Sequence, residues 1–225
     1  MEKKKKRIRR LLWYVAGSVV FLAIFWIALF AGTDDYKVKL PVIADVKPFA
    51  FVDQKGDTVT ERDVLGKVCV VSFFFTTCPG ICPRMNDNLK HWVYEPFKEE
   101  PDLLMLSHTS DPERDSVSRL KVYADSMGYD DPKHWIFLTG TKKALYAAAR
   151  DSYHIDDESH AKQKIEDQFI HTQLIALIDK NGRLRGIYDG LTKEELEKLQ
   201  RDIKALLKEP SGPRFSGGLF NNNPS

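Results

Sequence analysis

The chain has 225 residues, 29% of them charged, and a formal net charge of +2, room for one ordinary domain plus appendages. Residues 1–10 hold seven cations against Glu2, a local +6, which leaves −4 on the remainder by subtraction from +2. The basic balance belongs to the terminus and is no argument for nucleic-acid binding, and three cysteines, an odd and small number, do not make a disulfide scaffold.

Leu11 to Ala31 follows the basic segment as a run of 21 residues without a formal charge. At about 1.5 Å rise per residue a helix of this length spans a hydrocarbon core of about 30 Å. Trp13 and Tyr14 lie near the basic end, where amphipathic rings favour the interface. Cations on the N-terminal side hold that end in the cytoplasm, which makes the chain a single-pass protein of the cytoplasmic membrane with its domain outside. A cleaved signal peptide is the competing reading; the apolar stretch is long for one, and no A-x-A site follows. The expected organisation is a basic segment 1–10, an anchor 11–31, a linker 32–47, a domain 48–208 and a disordered tail 209–225.

Within the domain, strand-like and helix-like segments alternate. Val68 to Phe75 is a continuous apolar run, expected for a central strand covered on both faces. A helix is expected over Arg84–Lys98, with Met85, Leu89, Trp92 and Val93 spaced by three and four. Leu103–Ser107 reads as a strand, Ser116–Met127 as a helix closed by Gly128, and Trp135–Leu138 as a third strand. Thr141 caps a helix running to about Ser152. Gln173–Ile178 and Leu184–Tyr188 are strands joined by the turn Lys180-Asn181-Gly182. Thr192 and Glu195 form a capping box opening an amphipathic helix through Leu207. The order β-α-β-α-β-α-β-β-α implies a mixed sheet flanked by helices, an α/β fold.

Cys78 and Cys82 fall at the C-terminal end of the first central strand, where open α/β sheets bind ligands. Their spacing is C-x-x-x-C. If a helix begins near Cys78, positions i and i+4 share a face and both sulfurs can point at one ion. Helix N–H groups nearby would favour a thiolate at Cys78. Cys69, inside the strand, reads as a buried small hydrophobe. A third soft or borderline ligand elsewhere would complete a copper site; without one the pair is a plain dithiol.

This layout resembles the thioredoxin-like fold. In finer detail Phe75–Pro83, Ser110–Asp115, Trp135–Gly140 and His171–Gly182 resemble, in that order, the Sco/SenC family of copper-binding proteins. The resemblance implies copper ligands at Cys78, Cys82 and His171, and delivery to the dinuclear copper site of cytochrome c oxidase. Its implied partners are the copper-receiving oxidase subunit and a copper donor or thiol reductant. His171 precedes an apolar strand, where thioredoxin-like oxidoreductases usually carry a cis-proline facing the cysteines; this chain has no proline between Pro132 and Pro210. Many family members have an Asp before the ligand histidine, whereas here Ile170 stands. Thiolates suit Cu(I), and an added imidazole lets the site hold Cu(II). A structural zinc site would want a fourth protein ligand.

The competing reading is a thiol–disulfide oxidoreductase, with Cys78 attacking and Cys82 resolving. Among the other histidines, His108 ends the second strand and reads as a loop residue, with the rim of the site as the lesser alternative. His91, His134, His154 and His160 read as structural or solvent-facing. The Asp111–Asp115 stretch reads as a capped turn into the next helix, with partner docking as the minority role.

Overall fold

The structure, a computed structural model, describes residues 2–30, 40–128, 133–156, 164–165, 168–170 and 172–212. Two compact units are present, Met1–Lys39 and Leu40–Ser225. The first is a helix, α1 (Glu2–Phe30), 29 residues long. Its described side chains from Leu12 to Trp26 are all exposed. Among the described residues no helix is long and apolar enough to cross a membrane.

The second unit is built on one eight-stranded sheet in the order β1-β8-β7-β4-β5-β6-β2-β3. Its strands are β1 (Ala44–Asp45), β2 (Ala50–Asp53), β3 (Thr58–Thr60), β4 (Val68–Phe74), β5 (Leu103–Thr109), β6 (Trp135–Thr139), β7 (Leu174–Ile178) and β8 (Arg183–Asp189). β4, β5 and β6 run parallel, and β7, β8 and β2 pair antiparallel around them. The mixed sheet expected from the element order is present, extended by three short strands. Ala44–Asp45 pairs with β8 within the stretch read as linker, and β2–β3 forms a hairpin beside β6. At two to four residues these strands are too short to show a period of 2.

Every residue of β4 is buried. Because successive side chains of a strand point to opposite faces, Val68, Val70 and Phe74 join one core while Cys69, Val71 and Phe73 join the other. The first core packs against α2 (Ile81–Leu89), α4 (Val117–Ser126) and α6 (Lys193–Lys208); the second against α5 (Lys142–Ala147). The helix expected over Arg84–Lys98 is divided. α2 passes into a π-helical stretch, Lys90–Tyr94, before α3 (Glu95–Phe97). Pro96 supplies the reason: with no N–H it cannot bond the carbonyl of Trp92 four residues back. The Gln200 side chain of α6 donates to that carbonyl instead, at 3.2 Å.

Thr141 caps α5 as expected, accepting from the N–H of Ala144 at 3.3 Å, and Ser116, expected as the start of its helix, caps α4 by accepting from the N–H of Arg119 at 3.4 Å. Thr192 begins α6 but makes no side-chain cap bond; its hydroxyl bonds the Asp189 carboxylate instead. The turn between β7 and β8 closes through Asp179, which accepts from the N–H of Asn181 and Arg183 at 2.9 and 3.0 Å. Gly182 there takes φ +73°, a conformation side chains disfavour. The tail read as disordered from residue 209 stays docked through Gly212: Glu209 bonds Arg185, and the Gly212 N–H donates to Asn181 at 3.1 Å. The rest of it, 213–225, lies outside the described residues.

Candidate metal centre

The cysteine pair sits where β4 gives way to α2. The helix begins at Ile81, not near Cys78, so the two sulfurs do not share a helical face by i, i+4 spacing. A different device brings them together. Gly80, the N-cap, has no side chain to cap the first turn. The Cys78 sulfur takes that role and accepts from the N–H of Cys82 at 3.4 Å, as an N-cap oxygen normally would. The Cys78 N–H in turn donates to the Phe75 carbonyl at 3.1 Å, which curls the loop back.

The two thiols therefore differ. Burial alone would raise the Cys78 thiol, but the N–H groups of Gly80, Cys82 and Ile81 and the Cys82 thiol outweigh it and hold Cys78 below its ordinary value. Burial pushes Cys82 up to about 12, reinforced by its bond to Cys78. Cys69 is also pushed up to about 12 by burial, as a core thiol should be. All three are free cysteines. Alkylation of the reduced chain at neutral pH is thus expected to label Cys78 first and alone. Rapid labelling of Cys69 or Cys82, read by peptide mass, would contradict this ordering.

The loop is held from the other side by the turn after β5. Asp115 is 1% exposed. Its carboxylate accepts from the Thr76 N–H at 3.0 Å, from the Thr109 hydroxyl at 2.6 Å and from the Thr76 hydroxyl. Arg119 Nε donates to the same Thr76 hydroxyl at 2.7 Å. The stretch read as a capped turn is one, with the Asp115 N–H bonding the Asp111 carbonyl at 2.8 Å. It also clamps the residue two positions before Cys78. Asp115→Ala strands the half-buried Thr76 N–H and the buried Thr109 hydroxyl, at up to roughly 1–3 kcal/mol each. The expected loss is about 2–4 kcal/mol by denaturant titration; a loss below about 0.5 kcal/mol would show the clamp to be idle.

His171 lies outside the described residues. Its flanks are described. β7 runs antiparallel beside β4, pairing Val71 with Ala176 and Cys69 with Ile178, so Leu174 stands at the end of the sheet where β4 finishes. The Phe169 ring meets the Phe75 ring edge-on at 5.0 Å. The Tyr146 hydroxyl donates to the Ser110 carbonyl at 2.9 Å and accepts from the Ile170 N–H at 3.2 Å. Ser110 itself donates from its N–H to the Phe74 carbonyl at 2.7 Å. One chain of bonds and one ring contact thus tie residues 169–170 to the root of the cysteine loop. Tyr146, Thr76 and Asp115 were not singled out as site residues in the sequence, because hydrogen bonding across elements leaves no periodic signal.

Among the described residues no group of three His, Cys, Asp or Glu side chains is placed to hold a metal. His108 does not join the cysteines. It lies inside β5, not in a loop or at a rim, and is fully buried against Phe73, Phe51 and Tyr153 at ring distances of 5.0, 5.1 and 5.4 Å. Burial pushes it down to about 3, so the imidazole is neutral. β5 continues two residues past the expected end because His108 and Thr109 are buried along with the apolar ones. The described donor set is therefore two soft sulfurs at a loop, one of them predisposed to ionise, which suits a soft ion such as Cu(I).

Comparison with known proteins bears on this arrangement directly. Residues 42–208 match the SCO1/SenC family model. The chain belongs to the SCO1/SenC family. It is 28% identical over 172 residues to the SCO1 protein homolog of Bacillus subtilis, covering 75% of this chain and 86% of that one. It also resembles the solved structure of BsSco, described as a member of the Sco family of cytochrome c oxidase assembly proteins with a disulfide switch. That match has a TM-score of 0.62 and 27% identity, covering 75% of this chain and 97% of the other. Yeast Sco1 with copper bound matches with a TM-score of 0.53 and 27% identity, over 73% of this chain and 94% of that one. The Sco/SenC resemblance and its thioredoxin-like fold thus hold for this chain.

Proposed function

We propose that this protein is a membrane-anchored, extracytoplasmic copper chaperone. Cys78, Cys82 and His171 bind the copper, and the protein serves assembly of the dinuclear copper site of cytochrome c oxidase. The observation that carries this reading is the paired thiols at the C-terminal end of β4, with the Cys78 sulfur capping α2. Two thiolates give Cu(I) its preferred donors; an imidazole from His171 would extend the site to Cu(II). Family membership supports His171 as the third ligand, as do the contacts that bring Phe169 and Ile170 to the cysteine loop. Cys78, at 8% exposed, is the sulfur through which copper would pass to an incoming ligand. Anchorage rests on the 21 uncharged residues Leu11–Ala31 behind a cationic N-terminus, which favour a single pass with the domain outside the cytoplasm. The direct test is titration of the reduced full-length chain with Cu(I) against a chromophoric chelator, then with Cu(II). One copper per chain is expected, lost when Cys78 is alkylated; no binding, or binding indifferent to alkylation, would refute the reading.

A second reading, thiol–disulfide exchange, is favoured by the split between the two thiols. The Cys78 thiolate would attack one sulfur of a partner disulfide and expel the other as a thiolate. Cys82, giving up its proton, would then displace the second partner sulfur, leaving a Cys78–Cys82 disulfide and a partner dithiol. Rapid disulfide reduction by a chain that ignores copper would select it.

A further inference from the structure

Beside the cysteine loop, an open groove of about 590 Å³ runs along α4. Its inner end is Thr76, two residues before Cys78; its walls include Arg114, Ser116, Arg119, Val122 and Tyr123. Among the described residues no carboxylate lines it. Of the carboxylates around it, Asp115 is 1% exposed and holds Thr76, Asp111 lies 3.8 Å from Arg114 Nε, and Glu113 and Asp125 are exposed but outside the lining. Arg114 and Arg119 keep 73% and 50% of their side chains exposed. Arg119 Nε bonds Thr76 and lies 3.8 Å from the Asp115 carboxylate, and its two outer nitrogens make no hydrogen bond among the described residues. One turn further along α4, Val122 is 66% exposed.

We infer that the α4 groove docks an acidic segment of the protein that exchanges copper or thiols with Cys78. This rests on the proposed function and adds the chemistry of the partner. A carboxylate seated on Arg114 and Arg119 would lie beside Thr76, whose position the Asp115 clamp fixes relative to Cys78. From Arg119 to Val122 is about 4.5 Å along the helix, one to two residues of extended chain at about 3.3 Å each. The fitting segment therefore carries an acidic residue with an apolar one close after it, leading to its own cysteines or copper ligands. A free anion would occupy only the cationic end and leave Val122 uncovered. Charge pairs at a partly exposed rim act mainly by steering and orienting the encounter.

The test uses fluorescent, cysteine-free peptides carrying Glu-Glu-Leu or Lys-Lys-Leu and the full-length reduced chain in detergent. By anisotropy the acidic peptide should bind roughly 10-fold more tightly at low salt, an advantage lost near 1 M salt, where the Debye length is about 3 Å. Arg114→Glu, at a side chain that makes no hydrogen bond to Thr76, should remove the preference without changing the rate at which Cys78 reacts with neutral hydroxyethyl disulfide. Val122→Ser should weaken the Leu peptide but not a Ser-bearing one. Equal binding of the two peptides, or a preference that survives Arg114→Glu, overturns the inference. So does displacement by inorganic phosphate beyond that of chloride at equal ionic strength, which would make the patch a small-anion site. Because binding here needs neither thiol nor metal, a chain that binds the acidic peptide yet takes no copper keeps this docking surface and discards the chaperone reading.

Discussion

Cys78→Ser and Cys82→Ser are each expected to abolish stoichiometric Cu(I) binding, whereas His171→Ala is expected to keep Cu(I) and lose Cu(II). The asymmetry follows from donor chemistry. Cu(I) is satisfied by two thiolates and gains little from a third ligand, while Cu(II) favours mixed nitrogen and sulfur donors. A serine hydroxyl is a hard, un-ionised donor, so either cysteine replacement leaves one sulfur and no dithiolate to chelate Cu(I). The two replacements should also differ in the apo protein. Cys78→Ser keeps a capping oxygen for the Cys82 N–H and should cost little stability, because the bond it replaces is a sulfur contact at 3.4 Å. Cys82→Ser removes the thiol that helps hold Cys78 low, so the remaining Cys78 should alkylate more slowly at neutral pH. Cys69→Ala is the control: that thiol lies in the other core and its loss should leave copper untouched. Competition titration with a Cu(I) chelator and the sulfur-to-copper absorption of the Cu(II) form read all four variants. Wild-type Cu(II) absorption in His171→Ala would remove histidine from the ligand set; undiminished Cu(I) affinity in Cys82→Ser would remove the chelate.

What the sequence disclosed follows from how strongly each feature is repeated. Val68–Phe74 is legible because a strand buried on both faces needs an unbroken apolar run. The helix starts at Ser116 and Thr141 are legible because a capping side chain acts on its own neighbours. Thr192 shows the limit: the residue pattern was right, yet the hydroxyl went to Asp189, a competitor three residues back. The two cysteines do lie side by side, but not through the geometry expected. Their spacing suggested a shared helical face; the fold uses a sulfur as the N-cap because Gly80 cannot serve. The short β1 and the Asp115 clamp escaped because their partners are distant in sequence; β2 and β3 are too short to show a period, and the π turn follows from Pro96, a local signal that the helical spacing masked. His108 was misplaced for a related reason: a polar residue at a strand end looks like a boundary, and only the aromatic rings of β2, β4 and the segment after α5 make it core.

Arg185→Met is expected to destabilise the folded unit by about 3–5 kcal/mol, the usual cost of removing one member of a buried ion pair. Arg185 is 4% exposed, yet its guanidinium is fully engaged. It bonds Asp179 at 2.8 Å, Glu209 at 2.8 Å, and the carbonyls of Leu40 and Pro41 at 3.0 and 3.2 Å. One side chain therefore fastens the entry of the unit, its exit after α6 and the β7–β8 hairpin. Methionine fills the volume but leaves the Asp179 carboxylate, itself 3% exposed, with Arg183 as its remaining charged partner. For a domain of this size the melting temperature should fall by roughly 6–20 °C. The pH dependence distinguishes charge from packing. Burial alone would raise the Asp179 carboxyl, but Arg183 and Arg185 hold it below its ordinary 3.8. A depressed carboxyl contributes stability above the unfolded value and loses it as pH falls through the folded one. The wild type should therefore weaken below about pH 4. In Arg185→Met the depression is relieved, so the gap between the two proteins should be widest near neutrality and narrow on acidification. Arg183→Met, at a side chain 35% exposed, should cost less because water can solvate what it leaves. A gap that stays constant from pH 7 to pH 3 would assign the effect of Arg185 to packing and remove its charge from the account.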